Sequence, residues 1–211
     1  MRSGKGVEEQ LISLTINGHQ IQAEPGRTIL EVAQEQGIEI PTLCYDPDLR
    51  LVGSCRMCIV EIQGWRNLPA SCTTPVAEGM VVFTESPSVV EARRLVLELL
   101  LANHPQDCLT CEKSGECRLQ DYAYRYGVRD SRFQDGGPYR YEVKDPNPFI
   151  VRDYNKCIMC TKCVRACEEI TGAFALNVEN RGHAASICAG IDGTLAESTC
   201  IACGQCVMVC P

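Results

Sequence analysis

Chemistry in this chain rests with its cysteines, 16 among 211 residues, because most of them recur at the spacings of metal ligands. Cys157, Cys160, Cys163 and Cys167 read C-x2-C-x2-C-x3-C, and Cys200, Cys203, Cys206 and Cys210 repeat that spacing ahead of Pro211. Three thiolates two residues apart on a tight loop can hold three corners of an iron-sulfur cube, and the fourth iron of each cube needs a ligand from elsewhere. Zinc sites more often pair two CxxC units across a longer loop, so a doubled CxxCxxC is poor zinc spacing. Cys44, Cys55, Cys58 and Cys72 offer four further thiolates, enough for one 2Fe-2S centre, although the same set is compatible with a tetrahedral zinc. Cys108, Cys111 and Cys117 are one ligand short. His104, in the loop just ahead of them, reads equally well as the missing ligand or as an ordinary loop residue. An imidazole carries no negative charge, so as a ligand it would raise the potential of its centre. These motifs use 15 of the 16 cysteines and leave Cys188, read as a small buried residue outside any cluster. His19 and His183 have no ligand partners in sequence and are assigned to surface or loop. Lys156, Lys162 and Arg165 flank the first triplet, either as cations that tune an anionic centre or as solvated surface.

The elements that must position these residues are short. Ile12, Leu14 and Ile16 alternate with polar neighbours, Asn17-Gly18 makes a turn, and Ile21 begins a second strand, which together form a hairpin signal. Thr28 can cap a helix over Ile29 to Gln36, with Gly37 placed to end it. After the cysteine loop, Ile59 to Ile62 and Met80 to Phe83 read as strands, so the first module is an α+β roll in which a mixed sheet packs on one helix. Pro87 to Asn103 carries apolar residues at three- and four-residue intervals and reads as a connecting helix. Gly136-Gly137-Pro138, Pro146 and Pro148 should break regular structure, which puts a boundary near 148. The expected division is 10–86, 87–148 and 149–211.

Composition bounds the function. The formal charge of -7 leaves no excess of Lys and Arg to replace counterions on a phosphate backbone, which argues against nucleic acid as a partner. Met1 to Gln10 lack an apolar secretory core, and the longest apolar run, near Leu95 to Ala102, is broken by Glu98 and is too short to span a bilayer. The expectation is a cytoplasmic chain without membrane insertion, whose thiols stay reduced and serve metals rather than disulfides. No Gly-rich dinucleotide fingerprint and no paired carboxylates mark a substrate site, and four centres in this length leave little room for one.

Lys156-Cys-Ile-Met-Cys-Thr-Lys-Cys-Val-Arg-Ala-Cys and Cys200-Ile-Ala-Cys-Gly-Gln-Cys-Val-Met-Val-Cys-Pro resemble bacterial two-cluster ferredoxins. That arrangement makes Cys210 the fourth ligand of the 157/160/163 cluster and Cys167 that of the 200/203/206 cluster. Glu168 departs from the pattern, standing where proline is common, and 32 residues between Cys167 and Cys200 exceed the usual separation. Pro41-Thr-Leu-Cys-Tyr, Gly53-Ser-Cys-Arg-Met-Cys-Ile-Val-Glu and Pro69-Ala-Ser-Cys-Thr resemble the 2Fe-2S domain that begins the large iron-sulfur subunit of respiratory complex I and the electron-input region of FeFe hydrogenases. Asn103-His-Pro-Gln-Asp-Cys-Leu-Thr-Cys-Glu-Lys-Ser-Gly-Glu-Cys-Arg-Leu-Gln resembles the His/Cys3 4Fe-4S domain of the same families, which implies ligation by His104.

The resemblance covers roughly Leu11 to Pro211 and extends to NAD-linked formate dehydrogenases. It implies a β-grasp 2Fe-2S ferredoxin-like domain, a small His/Cys3 4Fe-4S domain and a C-terminal two-cluster ferredoxin-like domain, with one 2Fe-2S and three 4Fe-4S clusters. Such a chain relays single electrons between a partner subunit that binds FMN or FAD and oxidises NAD(P)H, and ferredoxin or a further catalytic subunit. It would work within a hetero-oligomer, as in bifurcating oxidoreductases, without a substrate site of its own. The alternatives are the electron-input region of a longer hydrogenase or formate dehydrogenase subunit, and a zinc-stabilised interaction module with no redox role.

Overall fold

The computed structural model describes residues 11–133, 147–190 and 193–211. Met1 to Gln10, the linker glycines 136 and 137, Pro138 and Pro146 lie outside these residues. The chain folds into two compact units, one of residues 1–41 and 56–92, the other of 42–55 and 93–211. The stretch bearing Cys44 and Cys55 falls in the second of these units.

In the first unit, β1 (Ile12–Ile16) and β2 (His19–Ala23) form the hairpin that the alternating residues predict, with Asn17 and Gly18 both at positive φ in the turn. The sheet runs β2-β1-β4-β3, with β4 (Val81–Phe83) parallel to β1 and antiparallel to β3 (Glu61–Ile62), so it is mixed as expected. Helix α1 (Ile29–Glu35) buries Ile29, Leu30, Val32 and Ala33 in the core that also takes Leu14, Ile16, Ile62 and Val82. Thr28 and Glu31 close a reciprocal capping box at its start, which satisfies two of the backbone donors a helix leaves orphaned. Helix α2 (Pro87–Leu101) follows β4.

In the second unit, α3 (Arg118–Tyr126) follows the His104 motif, buries Leu119, Ala123 and Tyr126, and ends on left-handed Gly127. The doubled motif lies on two short helices, α4 (Lys162–Arg165), which continues as a π-helical turn over Ala166–Ile170, and α5 (Gln205–Met208). The residues separating the two motifs are not plain loop: β5 (Leu176–Glu179) and β6 (Ser186–Ala189) pair antiparallel in a hairpin. Leu176, Ile187, Ala189, Leu195 and Ile150 form a small core with Cys167, against which Cys157, Cys163, Cys200 and Cys206 pack. Among the described residues no helix is long and apolar enough to cross a membrane.

Candidate metal centres

No disulfide joins any of the sixteen cysteines. In the doubled motif the two halves share one backbone pattern. Met159 and Thr161 flank Cys160 at φ of 53° and 59°, and Ala202 and Gly204 flank Cys203 at 53° and 78°. These left-handed residues fold each CxxCxxC into a tight loop and turn backbone N–H groups toward sulfur, from Met159 to Cys157 Sγ and from Ala202 to Cys200 Sγ, both at 3.4 Å. Three of the four positions are not glycine, so the turn is held at a cost of ~1 kcal/mol or more each.

The thiols of the first half lie close enough to feel one another. Burial is the first cause that pushes Cys160 up to about 11 and Cys163 up to about 12; the charges of Cys157 and Cys210 add to it at Cys160, and those of Cys160, Cys157, Cys210 and Cys206 at Cys163. Cys157 is raised likewise by burial and then by Cys210. In the second half, burial followed by the charges of Cys200, Cys203 and Cys167 raises Cys206. Cys203 is instead lowered, first by the Thr171 hydroxyl 3.4 Å away, and Cys167 Sγ accepts from Ala175 N–H at 3.2 Å. Cys210 therefore lies near Cys157, Cys160 and Cys163, and Cys167 near Cys206, with Cys206 near Cys163 as well, so the two halves of the repeat face each other. Cys167, Cys200, Cys203 and Cys206 line a hollow of about 320 Å³, mouth included, together with Ile150, Leu176 and Leu195 and the polar Thr171 and Gln205. Partly desolvated thiols whose ionised forms would repel one another fit the anionic ligands of a metal centre, where cationic iron would supply the compensating charge.

Cys44, in the second unit, is buried and its thiol is lowered to about 5, first by hydrogen bonding from Cys55 and then by Ser54, against the effect of burial. Cys55 N–H donates to Cys44 Sγ at 3.4 Å. A thiol already poised as thiolate at neutral pH suits a metal ligand. In the first unit, Cys58 and Cys72 are both buried, and Ser71 N–H donates to the Cys58 carbonyl at 3.0 Å. Arg56, at φ 57°, turns the chain sharply ahead of Cys58.

Cys108 opens a 3-10 turn and Cys117 is the N-cap residue of α3; burial lowers the Lys156 ammonium, but the nearby Cys111, Asp107, Asp153 and Glu112 together hold it above its ordinary value. His104 Nδ1 stands 2.8 Å from the Pro105 carbonyl, which can only accept; in the neutral ring Nδ1 then carries the proton and Nε2 keeps its lone pair. Burial pushes the ring below its ordinary range, which favours that neutral, ligating form. His19 and His183 are both exposed, as assigned from sequence. Cys188 is half-buried on β6, with its thiol directed at the Asn177 carbonyl at 3.6 Å, rather than fully buried as expected, because strand alternation turns it away from the Leu176 and Ile187 core. Lys162 and Arg165 are not surface residues: they are 6% and 2% exposed. Among the described residues no group of three or more His, Cys, Asp or Glu side chains is close enough to hold a single metal ion.

Three family descriptions match in chain order. The 2Fe-2S iron-sulfur cluster binding domain matches residues 9–87, the NADH-ubiquinone oxidoreductase-G iron-sulfur binding region 93–132, and the 4Fe-4S dicluster domain 156–211. A solved chain of an NAD+-reducing NiFe hydrogenase, in its H2-reduced state, is 37% identical, superposes with a TM-score of 0.82, and is aligned over 80% of its own length and 90% of this one. The chain belongs to the iron-sulfur family shared by the G-type subunits of NADH-quinone oxidoreductase and NAD(P)-linked hydrogenase subunits. Within that family it is similar to the NADP-reducing hydrogenase subunit HndD of Solidesulfovibrio fructosivorans, 46% identical over 95% of this chain and 35% of the relative. It is also similar to the G 2 subunit of NADH-quinone oxidoreductase from Rhizobium meliloti, 47% identical over 95% of this chain and 23% of the relative. The chain thus spans about a third or less of these curated relatives, and it is an iron-sulfur electron-transfer region homologous to part of each. Those relatives favour the reading as the electron-input region of a longer catalytic subunit over that of a free-standing relay.

Proposed function

We propose that this chain is an electron wire of four centres: a 2Fe-2S cluster on Cys44, Cys55, Cys58 and Cys72, and 4Fe-4S clusters on His104 with Cys108, Cys111 and Cys117, on Cys157, Cys160, Cys163 and Cys210, and on Cys200, Cys203, Cys206 and Cys167. The reading rests above all on the repeated C-x2-C-x2-C-x3-C spacing, supported by the nearness of Cys210 to Cys157 and of Cys167 to Cys206. The mixed four-stranded sheet with one packed helix supports a β-grasp assignment for the 2Fe-2S domain. Iron-sulfur centres exchange single electrons, so hydride chemistry belongs to a partner subunit holding FMN or FAD and NAD(P), and this chain hands its electrons on to a catalytic domain, a further subunit or ferredoxin, in the cytoplasm.

The electron-input reading follows from the long relatives. The free-standing relay keeps one observation in its favour, the hydrogenase chain that this one nearly covers. Anaerobic reconstitution followed by iron and acid-labile sulfide analysis should give about 14 Fe per chain. EPR of the reduced protein should resolve one 2Fe-2S and several 4Fe-4S signals. Colourless protein holding zinc at unit stoichiometry would replace the wire with a structural module.

A further inference from the structure

Arg165 lies two residues before Cys167 and is 2% exposed, yet no carboxylate lies within ion-pair distance of it among the described residues. Its guanidinium is directed at backbone instead. Nη1 donates to the Arg50 carbonyl at 2.6 Å, and Nη2 donates to the Cys44 carbonyl at 2.6 Å and, more weakly, to the Cys160 carbonyl at 3.4 Å. Nε is buried without a hydrogen-bond partner among the described residues. All of these residues belong to the second unit. A buried cation is costly unless an anion compensates it, and here no side chain does so. The two cysteines whose carbonyls share Nη2 are ligands of different centres in the proposed wire, and each centre is a polyanion that gains one further negative charge on reduction.

We propose that Arg165 is the shared counter-cation of the Cys44 centre and the Cys160 centre, and that its charge raises the reduction potential of both. The inference rests on the cluster assignment above. Three neighbouring ion pairs hold the same segment in place: Lys162, itself buried, lies 3.4 Å from Asp46, and Arg50 pairs with Glu168 at 2.9 Å and with Glu169 at 3.2 Å. Arg165 differs from them in having no acidic partner, so its charge is left for the centres.

The test is an EPR-monitored titration of the reconstituted full chain, with dithionite supplying one electron to each centre and being oxidised in turn. Arg165→Met should lower the reduction equilibrium constants of the 2Fe-2S centre and one 4Fe-4S centre together by about tenfold, a fall of ~59 mV for a one-electron couple. Arg165→Lys, which keeps the charge, should recover most of that fall. Should Met prevent iron loading, Arg165→Gln takes its place, since it keeps an amide donor and loses only the charge. Iron content of the wild-type chain tests the cluster reading separately. Unchanged potentials in a fully loaded Met or Gln variant would overturn the role of Arg165 while leaving the wire intact. Equal falls in the Lys and Met variants would also overturn it, because the residue would then act through packing alone.

Discussion

At the scale of single residues, the backbone at Ala202 is the sharpest test of what the motif demands. Ala202 sits at φ 53° ahead of Cys203 and Gly204 at 78° after it, with nothing within 4 Å of where a Cβ on Gly204 would stand. Ala202→Gly should therefore stabilise the loop or leave it unchanged, while Gly204→Ala should cost about 1 kcal/mol by backbone strain alone. Thermal unfolding and the rate of iron loss would register both, and a stabilising Gly204→Ala would refute the argument. Cys188→Ser should leave iron content and EPR signals as they are, since the thiol meets only a carbonyl on the neighbouring strand; loss of a cluster signal would make it a ligand. The candidate triplets are legible in the sequence from their spacing, whereas the fourth ligand of each comes only from the resemblance to two-cluster ferredoxins. The left-handed turns at Met159, Thr161 and Ala202 are not legible, because nothing in those side chains announces positive φ. Glu168 stands out in sequence as a departure from the usual proline, and its reason lies 118 residues away in Arg50.

At the scale of elements, local signals predict what local physics forms. The Thr28 and Glu31 box names the start of α1, and Thr28→Ala should cost ~1 kcal/mol, seen as a lower denaturation midpoint. Hydrogen bonding from the Thr28 backbone N–H, with the Thr28 hydroxyl and Arg27 adding to it, holds the Glu31 carboxyl below its ordinary value against burial. A depressed folded pKa gives stability that is present above the unfolded carboxyl value of about 4.3 and is lost as pH falls through the folded one. The part of the Thr28→Ala penalty that comes from the hydroxyl's bond to the Glu31 carboxylate should then be full at pH 7 and shrink in acid, and a penalty independent of pH would show that this hydroxyl does not stabilise the ionised Glu31. Helix α3 hides in an aromatic, charged stretch, although Leu119, Ala123 and Tyr126 recur at helical intervals and Gly127 ends it. The β5–β6 hairpin looks in sequence like a plain insertion because its four-residue strands carry little alternation: β5 buries Leu176 alone, and the pairing across to Ala189 that completes it is invisible to a local window.

At the scale of the molecule, the two compact units do not follow chain order, and this decides how the protein can be cut. Residues 42–55 lie after α1 in sequence, but their partners are C-terminal: Tyr122 Oη receives the Thr42 N–H, Asp46 faces Lys162, Arg50 faces Glu168 and Glu169, and the Cys44 carbonyl accepts from Arg165. Each such bond contributes on the order of 1 kcal/mol, more for the charged donors, and none is available to a fragment ending at residue 92. Such a fragment keeps every residue of the four-stranded sheet and of α1, so it should retain its strand signal by circular dichroism. Its segment bearing Cys44 and Cys55 would be unanchored, and the entropy of ordering that segment would fall on metal binding itself. The fragment should therefore take up a 2Fe-2S centre in lower yield and lose it faster to chelator than the full chain does, with broadened EPR features. Equal yield, equal chelator resistance and identical g-values would mean that the 2Fe-2S site is fully specified by residues 11–92 and that the bonds of residues 42–55 with the C-terminal half serve some other end.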